Sequence, residues 1–233
     1  MESPILSLPW SSLLVAFLPV AIVVLVMHAW GVGARSGVYA TLRMVVQLVA
    51  IGYVLVYVLE TDNPAVVLAA LAVMMTAAGW IALRPLRERR AGILIDALVS
   101  IAAGGVATLA LVIWGVIGVE PWFSPRYVVP LAGMIFASSM NAVSLAAERL
   151  EAERSERRAY VDARRTALKA ALIPVVNSLF AVGLVSLPGM MTGQILSGVS
   201  PLVAVRYQIV VMAMLFGASG ISAALYLVLA GRR

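Results

Sequence analysis

The chain has 233 residues, 63% of them hydrophobic and 12% charged, with a formal net charge of +6. Soluble domains carry about a quarter charged residues, so the composition points away from a soluble fold. With no cysteine and one histidine, His28, disulfides, thiolate metal sites, thiol catalysis and multi-histidine sites within one chain are excluded.

Apolar runs of about 20 residues, each able to cross a bilayer, recur along the chain. They predict seven helical spans in order: Ser11–Trp30, Val38–Leu59, Pro64–Leu83, Ile93–Val119, Tyr127–Leu145, Leu168–Leu187 and Tyr207–Leu229. The fold class is therefore all-α, a polytopic membrane protein whose single transmembrane domain covers residues 1–233. Glu2 rather than a basic segment precedes the first run, and no clean small-residue cleavage site follows it. That predicts a retained span, not a leader.

The loops predict orientation. Arg35, the group Arg84, Arg87, Arg89 and Arg90, the group from Arg149 to Lys169, and Arg232 with Arg233 fall in one alternate set. The other set holds Glu2, Glu60, Asp62 and Glu120, with only Arg126 and Arg206 as bases. Basic loops stay cytoplasmic, which places the N-terminus outside and the C-terminus inside. The same rule explains the positive charge without nucleic acid. The cytoplasmic segment of about 146–169 interleaves Glu151, Glu153 and Glu156 with Arg154, Arg157 and Arg158. Its propensity and its pairs three or four apart favour helix, either as a solvated connector or as a docking element.

Polar residues inside spans are the candidates for function. Arg43 and Gln47 lie four apart in the second span, on one face. Asp96 stands near the cytoplasmic start of the fourth. Intramembrane charges usually pair, so an Arg43–Asp96 pair is one expectation; snorkelling of each to the surface is the other. Equal stability loss in Arg43→Ala and in the Arg43→Ala/Asp96→Ala double variant would support the pair, and additive losses would remove it. Ser138, Ser139 and Asn141 mark the fifth span, and Asn177 and Ser178 the sixth. Such groups hydrogen-bond between helices or line a path.

The strongest break in apolar pattern runs Leu187-Pro188-Gly189-Met190-Met191-Thr192-Gly193-Gln194-Ile195-Leu196-Ser197-Gly198. Backbone freed from helix inside a membrane must be satisfied by protein or by a water-lined cavity. The stretch is thus a broken helix at a path or a turn between spans. Met190 and Met191 are soft thioethers or apolar filler. Gly189 and Gly193 have the spacing for close helix approach. The one lysine, Lys169, follows Leu168, so no Gly-Lys-Ser/Thr phosphate loop exists. Neither a metalloprotease helix, a nucleophile elbow nor a dinucleotide fingerprint occurs, and the chain is not expected to be an enzyme or to hold a cofactor.

Four segments resemble the FetB-type permeases, half-size ABC transporter membrane subunits linked to iron export and, in plants, to aluminium tolerance. They are Arg43–Leu48 with Gly52–Leu55, Gly133–Ile135 with Met140–Val143, Pro174–Ser178, and Gly183–Gly193 continuing through Pro201 and Arg206–Met212. The resemblance implies a permease of the plasma (inner) membrane that forms a homodimer and binds a separate cytoplasmic ATPase, where ATP acts. A path would then use Arg43, Gln47, Asp96, Ser138, Asn141, Asn177, Pro188, Gly189, Met190, Met191, Thr192, Gly193 and Gln194. Arg149, Arg154, Arg157, Arg158, Arg164 and Arg165 would dock the ATPase. A Leu-Ala-Leu-Gly-Ala run of the family is not found between Glu153 and Ala167. An ATP-independent transporter or channel and a non-transporting scaffold are the rival expectations.

Overall fold

A computed structural model of the chain describes residues 9–86 and 91–232. The features read at Glu2, Arg87, Arg89, Arg90 and Arg233 lie outside the described residues. The described helices are α1 (Trp10–Ala16), α2 (Leu18–Ala29), α3 (Ala34–Glu60), α4 (Pro64–Ala82), α5 (Ala91–Ala110), α6 (Pro125–Ser155), α7 (Tyr160–Ala181), α8 (Gly189–Leu196) and α9 (Pro201–Ala230). A π-helical stretch, Leu111–Ile117, continues α5. Six helical segments are long and apolar enough to cross a membrane among the described residues. They match six of the seven predicted spans. The sixth predicted span, Leu168–Leu187, falls on α7, whose first half carries Asp162, Arg164, Arg165 and Lys169 and which ends at Ala181.

The chain divides into two compact units, residues 1–60 and 61–233. In the first, α1 and α2 meet at Phe17, whose backbone N–H bonds Leu14 O at 3.1 Å. Pro19, at the start of α2, has no N–H to continue the helical ladder. Gly31 and Gly33 take φ of +68° and +76° between α2 and α3, a conformation that costs glycine little. Thr41 Oγ donates to Gly37 O at 2.9 Å.

In the second unit α4, α5, α6, α7 and α9 pack side by side, with α5, α6 and α9 at the centre. The start of α4 is capped by Asn63, whose Oδ1 accepts from Ala65 N at 2.9 Å. Burial here is the reverse of a soluble core. Ala97, Ser100, Ala132, Ser139, Ala218, Ser219 and Ser222 are almost fully buried, whereas Leu184, Val185, Phe180 and Leu202 are exposed. Small residues let helices approach closely when lipid supplies the apolar surroundings. Gly104 of α5 is the tightest such contact between backbones. A Cβ placed there meets the Ser222 side chain, and lies 3.0 Å from Ser222 N and 3.2 Å from Ala218 O.

The order of contacts gives the direction of each helix. Ser138 on α6 bonds Ser219 on α9, Oγ to Oγ, at 2.7 Å. Further along both, Arg154 Nη2 donates to Ala230 O at 2.8 Å. So α6 and α9 run parallel. In contrast, α7 returns antiparallel: its first residue, Tyr160, donates its hydroxyl to Leu227 O, and its far end, Ser178, reaches Gln208 and Met134 across a shared cavity. With 31 residues, α6 is about 46 Å long at 1.5 Å per residue, more than a bilayer core of roughly 30 Å. The segment read as one helix over 146–169 is therefore two pieces. It is the projecting end of α6 and the start of α7, separated by a corner at residues 156–159. Arg157 takes φ of +59° there, and Arg158 N bonds Glu153 O at 3.3 Å, which closes the last turn of α6 in the manner of a left-handed cap.

Candidate functional site

The predicted sixth span is broken. After Ala181 the chain folds into a tight turn: Val185 N bonds Ala181 O at 2.8 Å and Gly183 N bonds Ser186 O at 2.9 Å, with Gly183 at φ +82°. These bonds satisfy backbone groups that no helix pairs. The short α8 then begins at Gly189, and Pro188 O accepts from Thr192 N at 3.0 Å and from Thr192 Oγ at 3.1 Å. Pro188, Gly189 and Met190 share a cavity with Met134, which lies about 13 Å along α6 from its start at Pro125 at 1.5 Å per residue.

That cavity has a volume of about 410 Å³ and lies among α6, α7, α8 and α9. Its polar lining is Ser138, Asn141, Ser178, Ser186, Gln208 and Ser219, and its thioethers are Met134, Met190 and Met212. No charged side chain lines it. Met190 also borders a second cavity of about 290 Å³, which holds Arg126, Tyr127, Gln194 and Tyr207. Gln194 Oε1 is buried there without a hydrogen-bond partner. Next to the first cavity, an apolar groove of about 550 Å³ is lined by Leu179, Met191, Ile209 and Phe216. Gln208 borders both the first cavity and this groove. It is 6% exposed, and its Oε1 has no hydrogen-bond partner.

Of the residues expected on a path, Ser138, Asn141, Pro188, Gly189 and Met190 come together on the first cavity. Gln194 lies in the second cavity and Met191 in the groove. Thr192 Oγ donates back to Pro188 O at the start of α8. Gly193 supplies the carbonyl that accepts from Ser197 Oγ at 2.9 Å. Asn177 is exposed on α7, and its neighbour Ser178 lines the cavity instead. Arg43, half-buried, and Gln47, exposed, stand on α3 in the first unit. Asp96 is buried on α5 in the second unit, where its backbone carbonyl accepts from Ser100 Oγ at 2.6 Å. Gln208 and Ser219 line the cavity and were not among the site residues picked out from sequence. The signal for Gln208 was available, since it is the one amide in the otherwise apolar α9.

All six arginines read at the corner are exposed. Arg154 Nη2 donates to Ala230 O, and its Cζ lies 5.5 Å from the centre of the Tyr160 ring. Arg149 and Arg158 flank Glu153, which is 1% exposed, at 2.5 Å to Oε1 and 3.1 Å to Oε2. The Arg158 approach is close but poorly aligned for a hydrogen bond, since Oε2 has no such partner. Arg164 Cζ lies 5.9 Å from the centre of the same Tyr160 ring, and Arg165 stands 3.8 Å from Asp162. Among the described residues no group of three His, Cys, Asp or Glu side chains is placed to hold a metal.

These features define a polytopic helical membrane protein with a broken helix beside a largely apolar cavity that carries a few uncharged polar groups. The chain belongs to the uncharacterised protein family UPF0014, whose model matches residues 10–233. It is 32% identical over 227 residues to the probable iron export permease protein FetB of Escherichia coli, covering 91% of this chain and 86% of that protein. It is 38% identical over 202 residues to UPF0014 membrane protein STAR2 of Oryza sativa, covering 80% and 70%. Against protein ALUMINUM SENSITIVE 3 of Arabidopsis thaliana the identity is 34% over 200 residues, covering 79% and 72%. No solved structure matches the chain significantly.

Proposed function

We propose that the chain is the membrane subunit of an ABC transporter that exports iron or a related metal species. It works as a homodimer in the plasma (inner) membrane, N-terminus outside and C-terminus inside, and a separate cytoplasmic ATPase binds and hydrolyses ATP. The observation that carries the transport reading is the break between α7 and α8. Irregular backbone at membrane depth is tolerated where it lines a cavity, and the break borders the 410 Å³ cavity. The metal and the direction follow the name of the Escherichia coli relative. The lack of a phosphate-loop lysine motif in the sequence supports the reading in which ATP acts in a partner.

The cavity lining suits passage rather than storage. Hydroxyls, amides and thioethers are uncharged donors, and a bare cation held among them would lack a compensating charge. A metal there would move with its own ligands or bind only briefly. Arg157, Arg164 and Arg165, exposed at the corner, are the surface on which the ATPase docks.

The test is a mild-detergent pull-down of the chain from its native membranes, followed by ATP-driven metal uptake into inverted vesicles. A Walker-motif protein in stoichiometric amount, together with ATP-dependent uptake, is the expected result. A chain that repeatedly comes down alone, and transports without ATP in liposomes, would replace this reading with secondary transport through the same cavity.

A further inference from the structure

We infer that Tyr160 is a positioning residue that locks the arginine-rich corner between α6 and α7 to the last turns of α9. The corner and the cavity wall then move as one body. The inference rests on the ATPase-docking reading above and adds how a pull on the corner reaches the cavity.

Four independent contacts converge on this ring. The Tyr160 hydroxyl donates to Leu227 O on α9. The Arg154 and Arg164 guanidinium carbons lie 5.5 and 5.9 Å from its ring centre, within the range of cation–π attraction. Arg154 in turn donates to Ala230 O at 2.8 Å, one of the terminal carbonyls that a helix leaves unpaired. Finally, the ring packs so closely on Gly231 that a Cβ there would overlap it. The corner itself has little slack. Glu153 is buried between Arg149 and Arg158, and residues Glu156 to Arg158 close back onto α6 through Ala152 O, Glu153 O and Arg154 O.

A helix is stiff along its axis, so a contact at Leu227 displaces the same helix that carries Gln208 and Ser219 into the cavity. Both ends of the linkage therefore sit on α9. Ordinary capping of α9 would need only one donor on a terminal carbonyl; here a ring, two guanidiniums and a glycine that must lack a side chain hold the corner in place.

The cysteine-free sequence permits paired spin labels in the full-length chain. Labels at Val161→Cys on α7 and Val228→Cys on α9, positions 46% and 45% exposed, report the distance between corner and helix end. In the wild-type background a single narrow distance is expected. Tyr160→Phe, which removes only the hydroxyl, and Gly231→Ala, which displaces the ring, should each broaden it. With the co-purifying ATPase added, both variants should bind that partner like wild type. Each should consume more ATP per metal ion moved, by up to about ten-fold, the reach of one lost hydrogen bond. Narrow distances in both variants would overturn the lock. Broad distances with unchanged coupling would overturn its role in transmission. A wild-type chain that binds no ATPase would instead remove the docking reading, and with it the transmission role, while the distances still decide whether corner and α9 are joined.

Discussion

Gly104→Val is expected to cost the second unit about 3 kcal/mol or more, the upper range for side-chain insertion into a filled contact. The reason is geometric. The first added carbon already reaches Ser222 N at 3.0 Å and Ala218 O at 3.2 Å. These are backbone atoms of α9, which cannot rotate away as a side-chain tip can. Helices α5 and α9 must separate, and both belong to the central group of the bundle. Gly220→Ala is the control. It lies on the same α9, and a Cβ there meets nothing within 4 Å. Loss of glycine from a helix should then leave stability unchanged or raise it by up to about 1 kcal/mol. Thermal unfolding in detergent, followed by tryptophan fluorescence, separates the two. Equal melting temperatures for both variants would show that the α5–α9 contact does not limit stability.

Gln208→Leu is expected to leave the unliganded protein as stable as wild type, or more so, while transport falls about ten-fold or more. Leucine has nearly the same bulk and removes a buried acceptor that has no partner. Leaving such a group unpaired costs about 1–3 kcal/mol, so its removal relieves a cost. Gln208 borders both the cavity and the apolar groove, so a passing ligand is expected to pair its amide. The measurement combines melting temperature with ATP-driven metal uptake in vesicles. A destabilised variant would show that the amide has a structural partner. Full transport at wild-type stability would remove Gln208 from the path.

Much of the architecture was legible because lipid imposes a simple rule. Every apolar run of sufficient length must be a helix, since helices pair their own backbone in hydrocarbon. Hence Ala34–Glu60, Pro64–Ala82 and Ala91–Ile117 fall close to the predicted spans. The site was legible in part for the same reason: a polar side chain among apolar neighbours stands out wherever it lies. Ser138, Asn141 and the Pro188–Met190 break were found that way and converge on one cavity. The same rule misjudged Asn177. Neighbouring residues on a helix point about 100° apart, and only packing decides that Ser178 rather than Asn177 borders the cavity.

The corner was the least legible region. Its Glu and Arg spacing favours an unbroken helix, yet the chain turns at Arg157. Local propensity is worth tenths of a kcal/mol per pair. Contacts with Leu227, Ala230 and Gly231, some 70 residues away in sequence, outweigh it. No local pattern encodes such a distance.

By itself, then, the sequence determined the class of the protein: a helical membrane bundle with basic loops, no phosphate-binding loop and one strongly interrupted segment. Composition and period suffice for that because the solvent is uniform and each helix satisfies its own backbone. Only the tertiary structure decided which polar groups share a cavity, that the interruption borders it, and that Tyr160 joins the corner to α9. Those outcomes depend on the rotation and depth of one helix against another, which are set by side-chain contacts between residues far apart in the chain.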